Sequence, residues 1–352
     1  MPELPKTMQA VVYRGINNLR VETLPVPRIT ANDILVRVAV CGVCPTDIKK
    51  IQYGTVPSPR VFGHETSGTI VKVGARVRGF RVGQRVALHH HVPCMKCHAC
   101  RHRAFAQCPQ YKKTGITAGF EPAGGGYAEY VRVMPFVFPG VVTIPPRNTF
   151  EEGAMLEPVN TVLKAVRRLN LLPGDHVLVA GQGPIGLMFT RLLALRKVNV
   201  IASDLISERL KLAQRLGAQF AFRPDSGSSP AYPRPDAAII ATPSDAVVRE
   251  CLDQIRGAGQ ILLFAHTKRG AETQIDLSKV CVDEKDLIGS YSSDIMIQNE
   301  AARLVFSRKL DVRPLITHRF PLSQTAEAIA IAATPSPRAL KVVVDQTNQG
   351  ET

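Results

Sequence analysis

Three groups of side chains in this 352-residue chain have the types and spacing to do chemistry. The first is Cys44, with Cys41 just upstream, followed by Gly63-His64-Glu65. A thiolate, an imidazole and a carboxylate form a ligand set for a zinc ion that keeps one position open for substrate. Taken alone, the tripeptide means little, since a His beside a Gly is more often a turn residue than a ligand. The second group is Cys94, Cys97, Cys100 and Cys108. Four thiols in one loop have little reason to cluster except as a closed tetrahedral thiolate site for zinc. The third is Gly181-Gln182-Gly183-Pro184-Ile185-Gly186, whose glycines permit a tight turn and the close approach of a pyrophosphate to a helix N-terminus.

Competing readings attach to each. Cys41-x-x-Cys44 has the spacing of a redox dithiol, but such a pair caps a helix in a βαβ setting, and neither is expected here. Metal ligation is therefore assigned to Cys44, packing to Cys41, and a proton-relaying hydroxyl to Thr46. A nucleic-acid finger would need a recognition helix between its ligand pairs, and the seven residues between Cys100 and Cys108 are few for that. His89-His90-His91 is a candidate ligand cluster, read here as polar residues at a strand end beside the cysteine loop. Cys251 and Cys281 have no partner spacing and are read as buried fillers.

The elements that must hold these groups fall into two kinds. Residues 8 to 88 alternate as short strands with Gly and Pro punctuation, and residues 114 to 147 return to strands before the Pro145-Pro146 break, which favours a small irregular barrel. From Thr149 the pattern turns helical, and Leu156-Glu157-Pro158 opens a helix where an acidic residue is favoured by the helix dipole alone. From His176 the chain alternates strand and helix, which predicts a doubly wound parallel sheet. The glycine turn follows the strand His176 to Ala180, opens a helix, and has Asp204 18 positions beyond Gly186. Asp204 would accept from ribose hydroxyls and repel a 2′-phosphate, favouring NAD over NADP. Arg209 has the charge to accommodate that phosphate and is assigned instead to a helix face.

Cys44-Pro45-Thr46-Asp47 and Gly63-His64-Glu65 with Gly68 resemble the catalytic-zinc signature of the zinc-containing medium-chain dehydrogenases. The four-cysteine loop, Glu157-Pro158 and the glycine turn follow in that family's order, so the resemblance covers nearly the whole chain. It implies a GroES-like irregular β-barrel catalytic domain at 1–157 with a structural-zinc lobe at about 89–113, a Rossmann NAD-binding domain at 158–292, and a return to the catalytic domain at 293–352. It implies zinc on Cys44 and His64, with Glu65 and Glu157 sharing the remaining positions with water, a second zinc on Cys94, Cys97, Cys100 and Cys108, and NAD on Gly181, Gly183, Pro184, Ile185, Gly186, Asp204 and Arg209. The implied reaction is hydride transfer between a secondary alcohol or polyol, of the sorbitol or threonine type, and NAD. Dimers or tetramers are common in the family. Pro45 departs from the Gly usual in the polyol branch, and Lys49-Lys50 stands where many members carry the His that ends the proton relay.

Composition frames these readings. Hydrophobic residues at 45% and charged residues at 21% fit folded globular domains, and the length fits two. No run of about 18 apolar residues occurs, so neither export signal nor membrane span is expected, and eight cysteines without an export signal point to cytoplasmic thiolate or metal chemistry. The net charge of +15 would suit a polyanion, but the basic residues are scattered, Trp is absent, and no specific nucleic-acid partner is expected. A basic surface would equally steer an anionic cofactor or a phosphorylated sugar alcohol. A zinc- and NAD-binding protein without turnover is the non-enzymatic alternative.

Overall fold

The computed structural model describes residues 4–89, 91–111, 115–120, 124–226, 231–265, 270 and 272–347. His90 of the histidine triplet, the end of the cysteine lobe beyond residue 111, part of the Pro-rich loop 223–235 and the last five residues lie outside that set. The chain divides into two compact units, one formed by Met1–Glu157 with Asp294–Thr352 and the other by Pro158–Ser293.

In the first unit the strand Ile34–Gly42 is the organising element. All but one of its nine residues are buried, so both of its faces are covered and its apolar run needs no alternation. It pairs antiparallel with Glu65–Val73, with Tyr130–Val133 and with Lys341–Asp345. The sheet continues through Arg85–Leu88 to Val141–Thr143 on one side and to Ile316–Phe320 on the other. Register does the positioning. Gly42 stands opposite Glu65 on one neighbour and opposite Val343 on the other, so the turn carrying Cys44, the start of the Glu65 strand and the C-terminal strand meet at one end of the sheet. A second small sheet, Asn18–Pro25, Thr7–Gly15 and Arg60–Val61, closes the barrel core around Tyr13, Phe62 and Tyr127.

One expectation fails in this unit. Cys44 does cap a helix, Pro45–Tyr53, where only strands and loops are expected. Pro45 at the first helical position presets φ, Ile48 and Ile51 are buried three residues apart, and Gly54 ends the helix at φ 61°. The setting is still not βαβ, because the next strand, Arg60–Val61, joins the small second sheet, and Glu65–Val73 beyond it pairs with Ile34–Gly42 antiparallel.

The second unit is a six-stranded parallel sheet in the order Ala218–Phe222, Asn199–Ser203, His176–Ala180, Ala237–Ile240, Gln260–Leu263, Asp286–Gly289. Strand order reverses between His176–Ala180 and Ala237–Ile240, which is where open α/β sheets bind ligands at their carboxyl ends. Cys251 is buried in this unit as expected, whereas Cys281 is exposed at the end of the short helix Leu277–Cys281. That helix is two turns at most and buries none of its residues, so it offers the thiol no core to fill.

Candidate active site

In the first unit, ligand atoms of Cys44, His64 and Glu65 lie within 4.8 Å of one another. Gly63, at φ 96°, swings the chain so that His64 enters this cluster, and a side chain at Gly63 would strike the Cys41 sulfur. The His64 ring is oriented from behind. Its Nδ1 lies 3.1 Å from Asp47 Oδ1, while Asp47 Oδ2 accepts from the Gly63 amide at 3.2 Å, leaving Nε2 to face the thiol. Burial pushes the His64 pKa down, but Asp47 and Cys44 outweigh it and hold it well above the ordinary imidazole value. Asp47 responds in kind: burial raises its carboxyl, and His64 and Lys50 bring it below the usual range. A carboxylate behind a metal-facing imidazole fixes the tautomer and raises ligand basicity.

Glu65 is held from the other side. Lys341, buried on the C-terminal strand, forms an ion pair with the Glu65 carboxylate and donates to the Val43 carbonyl at 3.0 Å. Gly42 makes the room, since a Cβ there would overlap Glu65 Oε2. Burial lowers the Lys341 pKa, but Glu65 reverses this and leaves it above the ordinary lysine value. Glu157 is outside the tight cluster, although its carboxyl is close enough to feel His64, Glu65 and Lys341; burial raises it to about 7. Thr46 sits half-buried in the first turn of the helix that Cys44 caps. Lys49 and Lys50 are partly buried on the same helix, and burial lowers the Lys49 pKa. The donor set, one sulfur, one nitrogen and one oxygen with a cation and an anion behind them, suits a divalent zinc ion with an open position.

The second cysteine group forms its own small lobe. Sulfurs of Cys94, Cys97, Cys100 and Cys108 lie within 4.8 Å of one another, with Cys97 and Cys100 3.5 Å apart and Cys94 and Cys100 4.0 Å apart. Four thiolates about 2.3 Å from a tetrahedral zinc stand about 3.8 Å from each other, so the lobe fits the ion. The Lys96 and Cys97 amides bring the Cys94 thiol down to about 6, which readies it as a thiolate, whereas burial raises Cys100 to about 12. His89 is buried at the end of Arg85–Leu88, its pKa lowered to about 4 by burial, and His91 packs its ring on Tyr111 at 4.6 Å. Neither belongs to a metal-ligand cluster among the described residues.

In the second unit, Gly181 leaves the central strand at φ 94°, Gly183 caps the helix Pro184–Leu195, and a Cβ on Gly186 would overlap the Gly181 carbonyl oxygen. A Cβ on Gly183 would meet nothing nearer than Arg209, at 3.9 Å, so the turn is open where a pyrophosphate would lie. Ile185 is half-buried in the first turn of that helix. Asp204 accepts from the Gln182 amide at 2.6 Å and from the Ile206 amide at 2.8 Å, which fixes its carboxylate beside the turn. Arg209 is on a helix, Ser207–Arg215, but its guanidinium turns back to within 3.9 Å of Asp204.

Two family patterns match the chain: the alcohol dehydrogenase GroES-like domain over residues 30–145, which holds both cysteine groups, and the zinc-binding dehydrogenase domain over residues 184–307. A sorbitol dehydrogenase of Bombyx mori is 30% identical over 357 residues, spanning 96% of this chain and 99% of that protein. The chain belongs to the zinc-containing medium-chain dehydrogenase family. Among solved structures, a protein of Sinorhizobium meliloti 1021 described as a zinc-binding dehydrogenase and bound to NADP superimposes with a TM-score of 0.86 at 25% identity, covering 97% of this chain and all of that one. An alcohol dehydrogenase of Escherichia coli CFT073 complexed with NADH gives 0.84 at 25% identity over 97% of this chain and 100% of its own. The fold is thus a GroES-like barrel with a Rossmann unit, and the protein is a dehydrogenase of the alcohol dehydrogenase type with zinc and a nicotinamide dinucleotide as cofactors. No helix among the described residues is long and apolar enough to cross a membrane.

Two residues of the site have roles that no motif assigns. Asp47 carries a local signal, its place three residues after Cys44 in the same turn. Lys341 carries none, because only the pairing of Lys341–Asp345 with Ile34–Gly42 delivers it.

Proposed function

We propose that the protein oxidises a secondary alcohol or polyol, sorbitol-like or otherwise sugar-derived, with NAD as hydride acceptor. The observation that carries this is the Cys44, His64 and Glu65 cluster, flanked by Asp47 and Lys341. Zinc held there would supply a Lewis acid that lowers the pKa of a substrate hydroxyl, and a bound nicotinamide would supply the hydride acceptor. Cys44 and His64 hold the metal, and Asp47 keeps His64 in the tautomer that points Nε2 at it. Lys341 offsets the charge of Glu65, leaving the open position to substrate. Thr46 relays the substrate proton outward, its hydroxyl passing on its own proton as it takes the next, and Glu157, raised to about 7, is poised near neutral pH to bind or release a proton beside the cluster. Cys94, Cys97, Cys100 and Cys108 hold the structural zinc. Gly181, Gly183, Pro184, Ile185 and Gly186 take the pyrophosphate, and Asp204 the adenosine ribose. The similarity to the Bombyx mori sorbitol dehydrogenase supports the polyol class. None of the eight cysteines is in a disulfide, which suits a cytoplasmic enzyme, and a homodimer or homotetramer follows the family's habit.

The net charge of +15 favours one second reading, a phosphorylated sugar alcohol as substrate. Rates of NAD and NADP reduction across polyols, sugar-alcohol phosphates, threonine and simple secondary alcohols, before and after chelation, test both. Chelator-sensitive turnover on unphosphorylated polyols is expected. Turnover confined to the phosphates would replace the first reading with the second, and none on any substrate by protein carrying zinc and NAD would favour a non-enzymatic role.

A further inference from the structure

The zinc lobe carries a pair of histidines that the dehydrogenase chemistry does not use. His98 and His102 are both exposed and sit one helical turn apart, with the His102 amide donating to the His98 carbonyl at 3.2 Å. Their rings have centroids 4.5 Å apart and planes inclined at 53°. Side chains four residues apart on a helix share one face.

We propose that His98 and His102 form a separate surface site for one divalent late transition ion, copper(II) or nickel(II), which both imidazoles chelate. The ring spacing is compatible with chelation. A metal about 2.0 Å from a ring nitrogen is about 3.2 Å from the ring centroid, so two imidazoles bound cis, at about 90°, have centroids about 4.5 Å apart. A tetrahedral angle would put them about 5.2 Å apart. The observed spacing accommodates a cis pair of imidazoles, and imidazole affinity rises toward copper in the first-row series. The inclination of the planes also fits, because two rings that bind one ion must each contain it in their plane, which parallel stacked rings cannot do. The electrostatics are permissive. Lys96, Arg101 and Arg103 are close to the pair in sequence, but Cys97 and Cys100 lie on the same turn, and four thiolates around one zinc would carry about −2 of charge. Waters would complete the ion's coordination, since both rings face solvent.

Zinc-loaded wild-type protein and its His98→Ala, His102→Ala and doubly substituted forms would be titrated with copper(II) and followed by calorimetry and electron paramagnetic resonance. The expected result is one copper per chain with a tetragonal, two-nitrogen signal. Each single substitution weakens it at least about tenfold by removing the chelating partner. Zinc content serves as the folding control and stays at its wild-type value in all forms, because both histidines are exposed. Copper binding unchanged in the double variant would overturn the proposal, as would a copper signal with thiolate character and loss of lobe zinc.

Discussion

Lys341 and Glu65 form a buried ion pair although they lie 276 positions apart in the chain. The pair ties the last strand of the sheet to the metal-ligand cluster. Removing one member of a buried pair leaves the other charge uncompensated, at a cost of about 3 kcal/mol. Lys341→Met should therefore destabilise the metal-free protein by about that amount, read from denaturant unfolding. In the zinc-loaded protein a second cation stands beside Glu65, and the loss should be smaller. Equal losses with and without zinc would mean that Lys341 acts only as a packing residue.

Asp47 holds His64 by a charged hydrogen bond, and changes to such outer partners typically cost about 10–100-fold in metal affinity. Asp47→Asn should weaken zinc at the Cys44 site by that factor and spare the four-cysteine lobe. Zinc content measured against graded chelator should show two separated steps in the variant. Loss of both ions in one step would tie Asp47 to folding instead.

Asp204 and Arg209 set up a cofactor test, with a carboxylate that repels a 2′-phosphate and a guanidinium 3.9 Å away that would welcome one. Asp204→Ala should shift the ratio of kcat/KM for NADP over NAD upward by at least about tenfold, or about 1.4 kcal/mol. A ratio unmoved by the substitution would show that Arg209 does not reach the phosphate.

Glu152 completes the capping box of the helix Phe150–Ala154, accepts from the Asn148 side chain at 2.9 Å, and pairs with Arg308. Burial raises its carboxyl, but Arg308 and the Thr149 amide bring it below its ordinary value of 4.5. A depressed carboxyl contributes stability that is present above the unfolded value and lost as pH falls through the folded one. Glu152→Gln should cost about 1–2 kcal/mol at neutral pH. The difference from wild type, followed by thermal melts, should shrink as pH drops below 4.5. A gap that stays constant through that range would assign the effect to packing.

What the sequence made legible was local. Four cysteines in one loop and three glycines between a strand and a helix declare themselves by spacing, because their ligands are reached by a few bonds of backbone. The helix Pro45–Tyr53 was not expected in a stretch of strands and loops, although Pro45 at its first position is a helix starter. The Asp47 and His64 contact was half legible, since both residues stand in motifs but their pairing depends on the turn at Gly63. Lys341 was illegible: a lone lysine before Val342, Val343 and Val344 looks like the edge of an ordinary strand, and only long-range sheet register gives it a carboxylate to meet.

The register that brings Lys341 to Glu65 also fixes an order of events during synthesis. Cys44, His64 and Glu65 leave the ribosome early, Pro158–Ser293 follows as a continuous stretch able to fold as one body, and the strand carrying Lys341 arrives after it. Until then the nascent barrel exposes the edge of its central strand and a carboxylate without its cation. Until that strand arrives, Glu65 lacks the buried lysine that faces it in the folded barrel, so the C-terminal strand completes both the sheet and the charge balance of the cluster.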